Sequence, residues 1–227
     1  MIWNFGIQKG FFMSKIELRR IDESNFIDCF NLKLKKEQER FVSHPIRSLA
    51  QAYVYYKQCT PFGVVADGEM VGYGNTCDAY HSTAPRPDGT TQAKCIELAL
   101  TEAGFDKEKD VLYINAHGTG TKLNDAAETM AYKLALGDYA YKAHIDSIKS
   151  MTGHMLGAAG AAEAIATILA LRNGIVPPTI NLDTPDPECD LDYTPNKAVK
   201  ADLTIGISDS LGFGGHDACV AFRKYTE

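Results

Sequence analysis

The sequence predicts an α/β layered fold, and three observations carry that expectation. From residue 92 onward, segments with apolar residues at helical spacing alternate with short strand-like runs, the pattern of helices packed on a sheet. Two histidines, His117 and His154, each follow such a run and sit in frames of small residues. The chain closes with two more strand-like runs joined by Gly212-Phe213-Gly214-Gly215.

The elements follow in order. Ile16-Glu17-Leu18-Arg19-Arg20-Ile21 alternates as a strand, and Asp22-Glu23-Ser24-Asn25 is helix-start chemistry. Ser43-His44-Pro45 separates two short helices, one through Lys33 to Arg40 and one through Leu49, Ala52 and Tyr53. Pro61 to Ala66 and Met70 to Tyr73 flank Asp67-Gly68, which predicts a β-hairpin. After the Pro85-Arg86-Pro87-Asp88-Gly89 loop come a helix from Gln92 to Ala103, a strand from Val111 to Asn115 and a helix from Asp125 to Leu136. His144 to Ile148 reads as β-rich, and an Ala-rich helix from Leu156 to Arg172 stops at Gly174 and Pro177-Pro178. Strands from Leu203 to Ser208 and from Ala218 to Phe222 complete the chain.

Composition narrows the classes. A chain of 227 residues, 45% apolar, suits one large or two small domains with a sizeable core. A net charge of -6 without a long basic run argues against nucleic acid or an anionic membrane surface as the main partner. Cysteines at 29, 59, 77, 95, 189 and 219 form no C-x-x-C pair, so they read as reduced, cytoplasmic thiols. Residues 1–12 form a leader without the apolar stretch and cleavage site of a signal peptide. Leu156 to Leu171 carries Glu163 and is shorter than the roughly 20 residues of a membrane span, so no transmembrane helix is expected.

Residues 13–73 resemble the opening of a GNAT-type N-acetyltransferase of the polyamine kind, through Ile16 to Ile21, Glu39-Arg40-Phe41-Val42-Ser43-His44-Pro45, Ser48 to Tyr53 and Thr60 to Gly63. That family's acetyl-CoA site needs a later Gly-rich loop at a helix N-terminus, and none follows Tyr73. From Val71 to the end the chain is similar to the C-terminal half of a β-ketoacyl-acyl carrier protein synthase of the type II, elongating class. Gly72 to His81, Asn115-Ala116-His117-Gly118-Thr119-Gly120-Thr121, Lys149-Ser150-Met151-Thr152-Gly153-His154, Pro177 to Asp183, Pro185 to Asp190 and Gly212 to Gly215 carry the resemblance. It implies half of a thiolase-like α-β-α-β-α fold over residues 74–227, preceded by a small α/β acetyltransferase-like fragment.

The same resemblance implies roles. His117 and His154 would bind a malonyl-thioester carbonyl and promote its decarboxylation, since two neutral imidazoles can donate to the oxygen as charge builds on it. A helix start beside His154 would disfavour imidazolium. Lys149 would be the charged residue of the site, with Glu128 as its ion-pair partner. Thr119 and Thr121 would contact the phosphopantetheine arm, and Phe213 would gate the acyl pocket. Read without the resemblance, a histidine beside glycine is usually structural, Glu128 is a solvated helix residue, and Gly212 to Gly215 is a turn. The family's nucleophilic cysteine belongs to the N-terminal half, and none of the six thiols here sits in its small-residue frame. Where the family reads Asn-Ser-Phe-Gly-Phe-Gly-Gly-Thr-Asn, this chain has Asp209 and Asp217 in place of the two amides. An ionised carboxylate cannot donate as an amide does.

The expected function is decarboxylative condensation in fatty-acid elongation, incomplete in this chain alone. Its partners would be acyl carrier protein, malonyl and acyl thioesters, and a homo-oligomer or a complementary N-terminal half. No nucleic acid, membrane, metal or cofactor is expected beyond carrier-borne phosphopantetheine. The alternatives are a GNAT-type N-acetyltransferase and a non-catalytic fusion joined at Val71-Gly72-Tyr73.

Overall fold

The structure, a computed structural model, describes the strands Glu17–Arg20 and Phe62–Val65 and residues 69–224, and it divides the chain into two compact units, Met1–Asp67 and Gly68–Glu227. The helices expected between residues 22 and 53 lie outside the described residues. In the first unit, β1 (Glu17–Arg20) and β2 (Phe62–Val65) pair antiparallel, with Glu17 opposite Val65 and Arg20 opposite Phe62.

The hairpin expected across Asp67-Gly68 is therefore corrected. β2 pairs with β1, whereas β3 (Glu69–Cys77) pairs antiparallel with the last strand, β9 (His216–Arg223). A local turn signal is outweighed by a ladder that runs from Glu69 opposite Arg223 to Cys77 opposite His216. Val71-Gly72-Tyr73 falls inside β3, and the register shifts between Met70 and Gly72, which is a bulge in the strand.

The second unit is built on a five-stranded sheet of order β3-β9-β8-β4-β5, with β4 at Leu112–Asn115, β5 at His144–Asp146 and β8 at Ile205–Gly212. β3, β9 and β8 are antiparallel neighbours; β8, β4 and β5 are parallel. β4 is buried along its whole length, as expected of a parallel strand covered on both faces. On one face, Leu112, Ile114, Ile205 and Ile207 join α1 (Thr90–Glu102) and α2 (Lys122–Leu136) in a core with Ile96, Ala99, Tyr132 and Leu136. The opposite face receives α4 (Ala159–Asn173), where a Cβ on Gly206 would lie 2.8 Å from Thr167 Cγ2.

Helix ends follow local chemistry. Asp88 accepts the Thr90 N–H at 3.0 Å, so α1 begins before Gln92. The Ala-rich segment opens with a 3-10 turn at Leu156–Ala158 before α4 proper, and Gly174 ends it at φ 62. The short helix α3 (Lys149–Thr152) follows β5. A two-stranded pair, β6 (Ile175–Val176) with β7 (Val199–Lys200), lies outside the main sheet. Gly212 pairs with His216, so the glycine-rich connection is the tip of the β8–β9 hairpin. Among the described residues no helix is long and apolar enough to cross a membrane.

α1 rides directly on the β3 backbone. A Cβ on Gly74 would stand 1.9 Å from the Cys95 carbonyl oxygen, and one on Gly72 would stand 2.1 Å from that of Ala99. Gly74→Ala is expected to cost about 3 kcal/mol by forcing the helix off the sheet. Gly157→Ala, where a Cβ meets nothing within 4 Å, is expected to stay within about 0.5 kcal/mol. Denaturant midpoints of the two variants measure the difference.

Candidate active site

The two histidine frames meet because β4 and β5 are parallel neighbours and both frames leave from the same end of the sheet. The Ala116 N–H donates to the Asp146 carbonyl at 2.8 Å, extending the ladder past both strands. Gly118 then turns at φ 41, where a Cβ would stand 2.5 Å from Ser147 Cβ, and the Ser147 hydroxyl donates to the Gly118 carbonyl at 2.9 Å. The imidazoles of His117 and His154 lie edge to face, 5.5 Å between centroids and 84° between planes.

Their environments differ. His117 is buried; burial, then the charges of Lys149 and His154, push its pKa down to about 3, so its ring is neutral at pH 7. Its buried Nδ1 has no hydrogen-bond partner, and placing the proton on Nε2 leaves only a lone pair unpaired there. His154 is exposed, and its Nδ1 accepts the Leu156 N–H at 3.1 Å. With Nδ1 accepting, the proton of a neutral ring sits on Nε2.

The charged partner of Lys149 is Glu163, not Glu128. Lys149 is buried and forms an ion pair with Glu163 on α4, itself almost wholly enclosed. Burial raises the Glu163 pKa, while Lys149 and then His154 lower it. Glu128 has other work. Its Oε1 accepts the His117 N–H at 2.7 Å and the Tyr132 hydroxyl at 2.7 Å; its Oε2 accepts the Gly118 N–H at 2.9 Å and Asn124 Nδ2 at 3.0 Å. It is buried, not solvated, and it holds the His117 backbone rather than the lysine charge. The sequence did contain a signal for Glu163, because a lone carboxylate in an Ala-rich apolar helix needs a buried partner.

Other expected residues are placed less centrally. Thr121 precedes α2 in extended conformation, and its hydroxyl lies 2.9 Å from that of Thr119. Phe213, at the β8–β9 tip, is 76% exposed. Asp209 is enclosed between Gln92 and Tyr132, while Asp217 accepts the Thr76 hydroxyl and is pushed up to about 6, mainly by burial. Beneath the histidines, Asp146 accepts the Tyr113 hydroxyl and is pushed up to about 7 by burial, an interaction that sequence reasoning missed. Cys95 and Cys219 are buried in the core; burial pushes the Cys95 thiol up to about 12 and raises that of Cys219 well above its ordinary value. Neither can serve as a thiolate nucleophile at neutral pH.

Residues 67–183 match the family described as β-ketoacyl synthase, C-terminal domain. The 3-oxoacyl-[acyl-carrier-protein] synthase 2 of Synechocystis sp. is 54% identical over 158 residues, covering 70% of this chain and 38% of the relative. That of Staphylococcus aureus is 50% identical over 157 residues, covering 69% of this chain and 38% of the relative. Among solved structures, a β-ketoacyl synthase from Burkholderia phymatum matches with a TM-score of 0.65 at 34% identity, over 78% of this chain and 40% of that one. A type II polyketide synthase acyl carrier protein in complex with its ketosynthase bound to the hexaketide matches with a TM-score of 0.67 at 41% identity, over 70% of this chain and 39% of that one. The sheet and helices are those of the thiolase-like ketosynthase fold. The chain spans about two fifths of the length of the curated relatives it matches.

Two outcomes follow from the charges. Lys149→Met leaves a buried carboxylate without its cation and is expected to cost about 3–5 kcal/mol, most of it recovered when Glu163→Leu is added; urea titration measures both. For His117 the folded pKa lies below the unfolded one. Its contribution to stability is therefore complete above about pH 6.5 and lost as the pH falls toward about 3. The ring-proton NMR shift of His117 is expected to stay flat between pH 8 and 5.

Proposed function

The chain belongs to the β-ketoacyl synthase family through its C-terminal domain, and from that premise we propose that this domain supplies the decarboxylating half of a carrier-protein-dependent condensing site. The observation that carries the reading is the edge-to-face pair His117 and His154 beside a buried Lys149–Glu163 ion pair. A malonyl thioester presents its carbonyl oxygen to the two Nε2–H groups. The bond to the carboxylate carbon breaks, carbon dioxide leaves, and the electron pair moves into an enolate whose oxygen the imidazoles stabilise. Neutral rings suit this role, because a donor that is already uncharged can bind the developing oxyanion without surrendering its proton.

Thr119 and Thr121, with paired hydroxyls, are proposed to contact the phosphopantetheine arm, and Phe213 to gate the acyl pocket. Glu128 is proposed as the support of the His117 loop. The partners are acyl carrier protein and malonyl and acyl thioesters, with no resident cofactor. In support, one structural neighbour is a ketosynthase bound to its acyl carrier protein, and another is a ketosynthase in complex with its chain length factor. The setting is cytoplasmic, consistent with thiols rather than a disulfide framework. Condensation needs a nucleophilic cysteine from a complementary N-terminal half, so this chain alone releases carbon dioxide without joining two acyl groups. Residues 13–73 are proposed to derive from a GNAT-type acetyltransferase, on the strength of their quoted segments alone. Acetyl-CoA binding by the whole chain would favour an acetyltransferase instead.

Incubation with malonyl carrier protein is expected to give acetyl carrier protein and carbon dioxide. His117→Ala and His154→Ala should each slow this by about 10²–10³-fold. With acyl and malonyl carrier proteins together no β-ketoacyl product is expected, and measurable product from the purified chain would overturn the assignment of half a site.

A further inference from the structure

Behind His117 lies a buried chain of polar groups whose hydrogen bonds require one more proton than its ordinary ionisation provides. Gln92, Glu128, Tyr132 and Asp209 are all buried. The Tyr132 hydroxyl stands 2.7 Å from Glu128 Oε1 and 3.0 Å from Asp209 Oδ1, yet it carries a single proton. One of the two carboxyl groups must therefore supply the second. Glu128 already accepts from the His117 and Gly118 N–H groups and from Asn124, a set that favours the carboxylate. Among the described residues the Asp209 carboxyl has two partners: Oδ2 accepts Gln92 Nε2 at 3.0 Å, and Oδ1 lies 3.0 Å from the Tyr132 hydroxyl, whose one proton Glu128 also claims.

Among the described residues no cation pairs with Asp209. Its surroundings are Gln92 and Cys95 from α1, Glu128 and Tyr132 from α2 and Cys219 from β9, with the charge of Lys149 acting from α3. The ammonium of Lys149 is taken by Glu163. Burial and the charge of Glu128 raise the Asp209 pKa well above its ordinary value, in agreement with the hydrogen-bond count.

We propose that Asp209 is a neutral carboxylic acid that donates to Tyr132 Oη, so that Tyr132 donates to Glu128 and Glu128 in turn holds the His117 and Gly118 amides in place. Asp209 is thus a positioning residue. It does what an amide does at that point: Oδ1–H donates and Oδ2 accepts. Its consequence for catalysis rests on the proposed role of His117, whereas the location of the proton does not.

The test uses the whole chain with carbon-13-labelled aspartate and infrared detection of the protonated carboxyl C=O at pH 8.5, above the titration of Asp146 and Asp217. A labelled band that disappears in Asp209→Asn and shifts in Tyr132→Phe is expected. Absence of the band from the unsubstituted chain overturns the proposal, as does a band that neither variant alters. Loss of the band on adding potassium chloride would also overturn it, since the carboxylate would then be a cation ligand. Stability gives a second readout. An aspartic acid neutral only in the folded state loses stability as the pH rises above its unfolded value, and asparagine does not. The folding equilibrium constant of Asp209→Asn relative to the unsubstituted chain should therefore rise about tenfold per pH unit between pH 5 and 7. A ratio independent of pH in that range contradicts the assignment. These readouts need no turnover, so they separate failure of the proton assignment from failure of the proposed function.

Discussion

Everything at the site depends on the parallel pairing of β4 with β5. It sets Asn115 opposite Asp146, so both chains leave the sheet at the same level and His117 and His154 arrive from adjacent strand ends. Loops at the carboxyl ends of parallel strands are where α/β folds place their chemistry, because helices cover the faces and leave this edge open. The Ala116 N–H to Asp146 bond and the Ser147 hydroxyl to Gly118 bond prolong the pairing beyond the strands. The histidines thus stand on a backbone scaffold rather than on free loops.

The same low-dielectric setting governs charge. A buried cation and a buried carboxylate are tolerable as a pair, which fixes Lys149 against Glu163 across α3 and α4. The second buried carboxylate, Glu128, is compensated differently, by four N–H and O–H donors. Two backbone amides among those donors belong to the His117 loop, so satisfying the acid and shaping the loop are one event. His117 itself stays uncharged because burial and the nearby lysine oppose imidazolium together.

Much of this was legible in the sequence. The α/β alternation, the two frames and the residues Lys149, His117 and His154 stand out because small residues, β-branched runs and helix stops are local signals. The misreadings were non-local. Asp67-Gly68 is good hairpin chemistry, but a turn cannot know that β9, almost 150 residues later, offers β3 a longer ladder. Glu128 and Glu163 are both acids on helices beside the histidine frames, and only three-dimensional packing decides which meets Lys149. The surroundings of Asp209 are equally hidden, since its hydrogen-bond partners Gln92 and Tyr132 lie 117 and 77 positions away.

What the described residues supply is the inner wall of a site. His117, Lys149, Glu163 and Glu128 are enclosed, but His154 faces solvent, Leu156 beside it is 74% exposed, and Phe213 stands out at its hairpin tip. Oxyanion stabilisation gains its force where water is excluded, since bulk solvent screens the donors and competes for the oxygen. Two well-placed imidazole donors on an open surface therefore deliver only part of what the same donors deliver under a cover. The chemistry proposed for this domain is limited less by its own residues, whose charges and hydrogen bonds are closely balanced, than by how dry the outer face of the histidine pair becomes when the proposed thioester is bound.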